Sequence, residues 1–318
     1  MFISKKKVIA LAASVAVLAI TATSFTPAQA APKNQARAVV QADWLEKNLD
    51  DPKVVVIEVS TEPGVYERGH IKNAAKIVWH TDLVDTVNRD IASAKNFQKL
   101  AQKIGINKDT TIVLYGDKNN WFAAWGAWLF NIYGATDVRI LDGGRVKWEK
   151  DGRALTTAVP AFKAGNFTTR VADKSLRATL LQDVLPVAKK RVKADLIDIR
   201  GADEFSGKIF AAPGFQELAV RAGHIPGAIN VPWGQNVNAD GTFKTVAELR
   251  KLYADKGVDG KQNIITYCRI GERSSLTWFV LSEILGYNVK NYDGSWTEYG
   301  NSVGVPINNP AGTIWGNS

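Results

Sequence analysis

The sequence predicts an α/β protein of two tandem domains, each a parallel sheet with helices on both faces. Three observations predict it. Short β-branched runs alternate with helical segments along the chain, the pattern of parallel sheets covered by helices. The pattern occurs twice, with motifs of the first half recurring about 150 residues later. Val56-Ile57-Glu58-Val59 matches Leu196-Ile197-Asp198-Ile199, and Gly69-His70-Ile71-Lys72-Asn73-Ala74 matches Gly223-His224-Ile225-Pro226-Gly227-Ala228. Leu141-Asp142-Gly143-Gly144 matches Tyr292-Asp293-Gly294-Ser295. Finally, each half has ordinary domain length.

Residues 1–30 stand apart from this repeat. Lys5-Lys6-Lys7 is a basic leader, Val8 to Ile20 an apolar run too short to span a bilayer, and Ala28-Gln29-Ala30 an A-x-A cleavage site. This is the form of a secretory signal peptide. No cysteine closely follows, which excludes a lipoprotein anchor. A bacterial protein exported to the periplasm or secreted, with no membrane anchor after cleavage, is therefore expected. The first domain is placed at 31–155, a linker with Pro160 and Gly165 at 156–178, the second domain at 179–310 and a tail at 311–318.

In the first domain the spacing predicts strands over Val54–Val59, Thr111–Tyr115 and Val138–Leu141. Helices are expected over Trp44–Leu49, Phe97–Ile104 and Trp121–Tyr133. In the second, strands fall at Leu196–Ile199, Ile229–Val231, Ile264–Tyr267 and Val289–Tyr292. Its helices fall at Leu180–Arg191, Val246–Asp255 and Ser274–Leu285, the last closed by Gly286. The second half carries about 14 extra residues near Ser206 to Val220, where Gly207, Pro213 and Gly214 predict a loop.

The formal net charge is +9, and removing the three signal lysines leaves +6. No basic run carries interleaved aromatics, so nucleic acid is not an expected partner. A mildly basic surface suits a small anionic substrate. The single cysteine, Cys268, excludes an internal disulfide and Cys-rich metal sites, and the three histidines are too scattered for a zinc motif. No metal or cofactor is expected, and a monomer is.

Cys268 sits between a buried strand and a largely buried helix. The loop Cys268-Arg269-Ile270-Gly271-Glu272-Arg273 falls at the carboxyl end of its strand, where ligands of α/β sheets gather. Its backbone N–H groups and the helix N-terminus would form an anion cradle. Arginines at both ends and the helix dipole are expected to keep the thiol ionised at neutral pH. The alternative, a cysteine that only packs, fits poorly with flanking arginines at a strand-to-helix turn. Arg269, Ile270, Gly271, Glu272 and Arg273 are the expected substrate-binding residues, with Glu272 turned outward because an inward carboxylate would repel an anion.

The loop CRIGERSS, with YDGSW after it and AGHIPGAINVPW before it, resembles the catalytic domain of the rhodanese-type thiosulfate sulfurtransferases. The resemblance covers nearly all of the chain after residue 40. It implies two tandem rhodanese domains with the active site in the second. It also implies transfer of the sulfane sulfur of thiosulfate to a thiophilic acceptor such as cyanide, through a persulfide on Cys268. In the first domain Gly116 and Asp117 occupy the positions of Cys268 and Arg269, so that domain is expected to be inert. Its aromatics Trp121, Phe122, Trp125 and Trp128 either cover the second domain's site or are simply core. Some relatives bind the substrate anion with a basic residue near Glu204. The acid here shifts that contact to Arg221 or to the loop arginines.

His70 and His224 are read as structural, and Asp198 with Arg200 as an ion pair fixing a loop. Cysteine phosphatases use a similar cradle with five residues between Cys and Arg; four lie between Cys268 and Arg273. A non-enzymatic persulfide carrier remains an alternative. So does 3-mercaptopyruvate as donor, although relatives using it tend to have small neutral residues after the cysteine.

The signal reading has a direct outcome. N-terminal sequencing of the protein from its native cell is expected to start at Ala31; a cytosolic chain starting at Met1 would refute export.

Overall fold

The structure is a computed structural model that describes residues 35–216 and 218–315. The signal peptide read at residues 1–30 lies outside the described residues. The first half runs α1 (Gln35–Ala38), β1 (Val39–Val40), α2 (Ala42–Asn48), β2 (Val54–Glu58), α3 (Val65–Arg68), β3 (Ala75–Lys76), β4 (Val84–Asp85), β5 (Asp90–Ile91), α4 (Ala94–Lys103), β6 (Thr111–Tyr115), α5 (Trp121–Ile132), β7 (Val138–Leu141) and α6 (Gly144–Lys150). The second runs α7 (Leu185–Ala188), β8 (Asp195–Asp198), α8 (Ala202–Ser206), β9 (Ile229–Asn230), α9 (Val246–Ala254), β10 (Ile264–Tyr267), α10 (Glu272–Phe279), β11 (Val289–Asn291) and α11 (Ser295–Asn301). A π-helical turn, Val280–Ile284, continues α10.

Both main sheets are parallel. The first has the order β1-β7-β6-β2-β3 and the second β11-β10-β8-β9; β4 and β5 form a separate antiparallel hairpin. The second sheet gains an equivalent of β1 from the linker. Ala178 N–H donates to the Asn291 carbonyl and Asn291 N–H to that of Leu176. The end of the sequence-defined linker is thus an edge of the second sheet. The tail is also docked, with Ala311 N–H bonded to the Ser206 carbonyl and Ile314 paired with Arg221.

Alternation along the strands explains the layers, because successive side chains face opposite sides of a sheet. Val55 and Ile57 of β2 enter one core cluster with Phe97, Ala101 and Trp125, while Val56 enters another with Leu45 and Trp148. Helices therefore cover both faces. In the second half Leu196 and Ile265 pack with Trp296 and Tyr299, whereas Ile197 and Ile264 join Leu249 and Leu276. The largest cluster is shared by the halves. α5 packs on α10, and Trp121 meets Trp233 edge-on at 4.7 Å. Trp125 and Trp128 are wholly buried in this shared core and are packing residues, whereas Trp121 also faces Phe215 at 6.4 Å.

The repeat extends to individual hydrogen bonds. Glu58 lies opposite Tyr115 in one sheet and Asp198 opposite Tyr267 in the other. Tyr115 Oη accepts from Ile71 N–H, as Tyr267 Oη does from Ile225 N–H. His70 stacks on Tyr66 and His224 on Phe205, each pair at 3.7 Å, and each histidine Nδ1 contacts a backbone carbonyl. Burial pushes His224 below the usual imidazole value. Both histidines hold turns in place, as expected.

Gly116, which follows β6 as Cys268 follows β10, shows why the first half lacks a nucleophile. A Cβ there would lie 2.3 Å from the Val59 carbonyl oxygen. Introducing a side chain forces the backbone apart, an overpacking cost of roughly 1–3 kcal/mol. Gly116→Cys in a Cys268→Ser background is expected to melt at a lower temperature and to gain no sulfur transfer. A stable, active chain would show that the first loop is as permissive as the second.

Candidate active site

Tyr267 ends β10, and the next four residues form a loop whose carbonyls are all bound outside it. The Cys268 carbonyl accepts from Trp296 N–H and that of Arg269 from Thr297 N–H, both at the start of α11. The Ile270 carbonyl accepts from Arg89 Nη2 at 2.7 Å, and that of Gly271 from Ser275 N–H and Oγ. In a trans peptide N–H and C=O point opposite ways. Anchoring the Ile270 carbonyl outward therefore turns the Gly271 amide of the same peptide inward. Gly271 N–H lies 3.1 Å from Cys268 Sγ. Gly271 has φ +96°, and a Cβ on it would strike Asp293 Cα at 2.6 Å, so only glycine fits this turn. Asn291 and Ser274 brace the same region through a 2.7 Å bond.

The thiol is fully buried. Its neighbours differ from the expected pair of flanking arginines. α10 begins at Glu272 instead of Ser274, and from this first helical position Glu272 faces the thiol. Its Oε2 lies 3.3 Å from Sγ, and the residue is 2% exposed. The expectation that Glu272 points outward is wrong. The electrostatics also run against the expected resting thiolate: burial pushes the Cys268 thiol up and Glu272 adds to the rise, while Arg273 and hydrogen bonding from Ser274 oppose it.

Arg273 is paired. Its Nη1 and Nη2 each reach a Glu204 oxygen at 3.1 Å, with both residues buried. Glu204 is therefore the counter-ion of a cradle arginine, one explanation of an acid at that position. Arg269 donates from Nη1 to the Gln216 carbonyl at 2.9 Å. Phe215 lies under both guanidinium groups, at 5.6 and 5.8 Å. Arg269 Nε and Arg273 Nε are buried and make no hydrogen bond among the described residues, although Glu272 Oε1 lies 3.8 Å from Arg273 Nε. Arg221 is not available. It donates to the carbonyls of Gly300, Val305, Tyr299 and Ser302 and so holds the end of α11.

Asp198 and Arg200 form the expected buried ion pair at 2.6 Å, and Arg200 also holds the Gly223 carbonyl. Ser295 was missed from the sequence, although it lies inside YDGSW. Its Oγ accepts from Cys268 N–H at 3.1 Å and lies 4.0 Å from Sγ. Among the described residues no three His, Cys, Asp or Glu side chains are placed to hold a metal ion. None of their helices is long and apolar enough to cross a membrane.

Comparison with known proteins agrees with this geometry. The family model of the rhodanese-like domain matches twice, over residues 41–151 and 183–302. A Mycolicibacterium smegmatis protein provisionally named thiosulfate sulfurtransferase is 51% identical over 271 residues, covering 85% of this chain and 96% of the relative. The sulfur carrier protein TtuD of Thermus thermophilus is 50% identical over 274 residues, covering 85% and 95%. Among solved structures, the Escherichia coli 3-mercaptopyruvate sulfotransferase superposes with a TM-score of 0.69 at 29% identity, covering 81% of this chain and 98% of that one.

The inward carboxylate predicts the thiol's titration. Replacing Glu272 by Gln removes a negative charge beside Sγ, so the thiol should ionise at lower pH. Alkylation of Cys268 by iodoacetamide in the variant is expected to rise about one pH unit earlier than in the wild type. An unchanged or later rise would refute the contact.

Proposed function

The chain belongs to the rhodanese family, and on that premise we propose that it transfers the sulfane sulfur of thiosulfate to a thiophilic acceptor through a persulfide on Cys268. The observation that carries the reading is the setting of Sγ: enclosed, 3.1 Å from an inward amide and 3.3 Å from a carboxylate. Glu272 is within reach of the thiol proton. The thiolate then attacks the outer sulfur of thiosulfate. A new S–S bond forms on Cys268, and the old one breaks with its electron pair leaving on sulfite. Gly271 N–H stabilises the sulfur anion from a fixed position, which needs no reorganisation during the reaction. A nucleophilic acceptor removes the outer sulfur and regenerates Cys268, a two-step covalent cycle.

No cofactor enters this cycle. Arg269 Nε, which makes no hydrogen bond among the described residues, would help receive the dianion, while Arg273 Nε already lies 3.8 Å from the Glu272 carboxylate. The loop is one residue shorter than a phosphatase cradle, which suits a single sulfur atom better than a phosphoryl group with three oxygens to bind. Export with cleavage after Ala30 remains part of the proposal.

A second reading has one observation in its favour. Glu204 neutralises Arg273 and Glu272 faces the sulfur, so the pocket is less cationic than the two arginines suggest. Such a pocket suits a persulfide held for a protein acceptor; the Thermus relative is named a sulfur carrier protein. Comparing thiosulfate with 3-mercaptopyruvate as donor, and cyanide with a protein thiol as acceptor, separates these roles.

The central experiment is intact mass after incubation with thiosulfate. A gain of one sulfur, lost on adding cyanide, is expected for the wild type. Cys268→Ala should fold, show no gain and form no thiocyanate. Thiocyanate production by that variant would refute the persulfide mechanism.

A further inference from the structure

From the first domain, Arg89 hydrogen-bonds the loop that carries Cys268. Arg89 sits at the turn between β4 and β5 with φ +53°, a left-handed conformation. Its Nη2 donates to the Ile270 carbonyl at 2.7 Å and its Nη1 approaches Asp293 Oδ2 at 3.4 Å. Asp293 is also bound by Arg177 Nε at 3.1 Å, and Arg177 pairs with Asp90 at 2.6 Å. The guanidinium stands 5.5 Å from the Trp79 ring. An alternating chain of charges thus links the hairpin, the linker and the turn before α11.

The Ile270–Gly271 peptide has two ends with different partners. Its carbonyl receives the Arg89 cation, and its N–H points the opposite way, at Cys268 Sγ. A cation on the carbonyl draws electron density from the amide nitrogen and makes the N–H a stronger donor, the polarisation that runs along hydrogen-bonded chains. We propose that Arg89 is a positioning residue for sulfur transfer, fixing and polarising the Ile270–Gly271 peptide so that its N–H stabilises negative charge on the Cys268 sulfur. The proposal rests on Cys268 as the sulfur-carrying residue.

Other charges facing the thiol are Glu272 and Arg273 on α10, with Glu204 of α8 behind Arg273 and Asp293 behind the loop. Arg89 is 42% exposed, and its removal leaves Asp293 paired with Arg177. The fold is therefore expected to survive the substitution.

The test follows iodoacetamide alkylation of Cys268 against pH in the wild type, Arg89→Ala, Arg89→Gln and Arg89→Lys, with persulfide formation read by mass on the same chains. The alanine variant is expected to alkylate with a midpoint raised by roughly half to one pH unit, about three- to tenfold slower at neutral pH. Arg89→Lys should recover part of the shift, and kcat should fall with KM little changed. Arg89→Gln keeps an amide donor without charge and carries the test if the alanine chain does not fold. Unmoved alkylation profiles in the folded variants, even with a lower melting temperature, would reduce Arg89 to a structural contact and overturn the proposal. A wild-type chain that formed no persulfide would overturn the sulfur-transfer reading and this proposal with it. The two failures are distinguished by whether the wild type or only the variants fail.

Discussion

A sulfur anion removed from water has to find its solvation in dipoles already in place, because the interior cannot reorganise as solvent does. Here one such dipole, the Gly271 N–H, lies 3.1 Å from Sγ within a run of four consecutive peptides after β10. Their orientation is set from the other side, by whatever holds their carbonyls: two amides of α11, an arginine of the other domain, and the first turn of α10. The position of α11, the glycine at 271 and the Ser274–Asn291 brace all serve this one constraint. Charge is arranged with similar economy. Arg273 is buried only because Glu204 is buried with it, and removing either would strand the other at several kcal/mol. A loss of activity on truncating Arg273 would therefore report on the ion pair as well as on substrate.

The duplicated domains show which features of the fold are scaffold and which are chemistry. Both retain the tyrosine at the strand end, the acid opposite it, the amide bonded to the tyrosine hydroxyl and the histidine stacked on an aromatic ring. Even the carbonyl at the nucleophile position is held alike, by Arg145 N–H in the first domain and Trp296 N–H in the second. Only the second has room for a side chain there. In the first, Asn120 reaches back to Gly116 N–H from the place that Glu272 occupies in the second.

The sequence was most legible where local pattern and local structure coincide. Thr111–Tyr115, Val138–Leu141 and Ile264–Tyr267 are strands at the predicted residues, since buried parallel strands are continuous apolar runs. Two-residue strands such as β1, β3, β4 and β5 have no periodicity to detect. Cys268 stood out because it is the one cysteine of the sequence and lies between strand and helix. Its electrostatics did not. Whether Glu272 faces the thiol depends on the left-handed turn at Gly271, which starts α10 early. Glu204 and Arg89 reach the loop from 69 and 181 residues away, and no local window signals such partners.

The shared core has a consequence for how the chain is made. α5, WFAAWGAWLFNI, is apolar on every side, and nearly all of it is buried in the finished protein. Much of its cover is α10, which begins 140 residues after α5 ends, counting from Ile132 to Glu272. A first domain that has completed its own sheet during synthesis still presents a bare tryptophan-rich helix until nearly the whole chain is available. That interval is when such a surface finds wrong partners most readily. The second domain is then the first domain's lid as well as the bearer of the thiol. A fragment ending in the linker would be a folded sheet with an adhesive face.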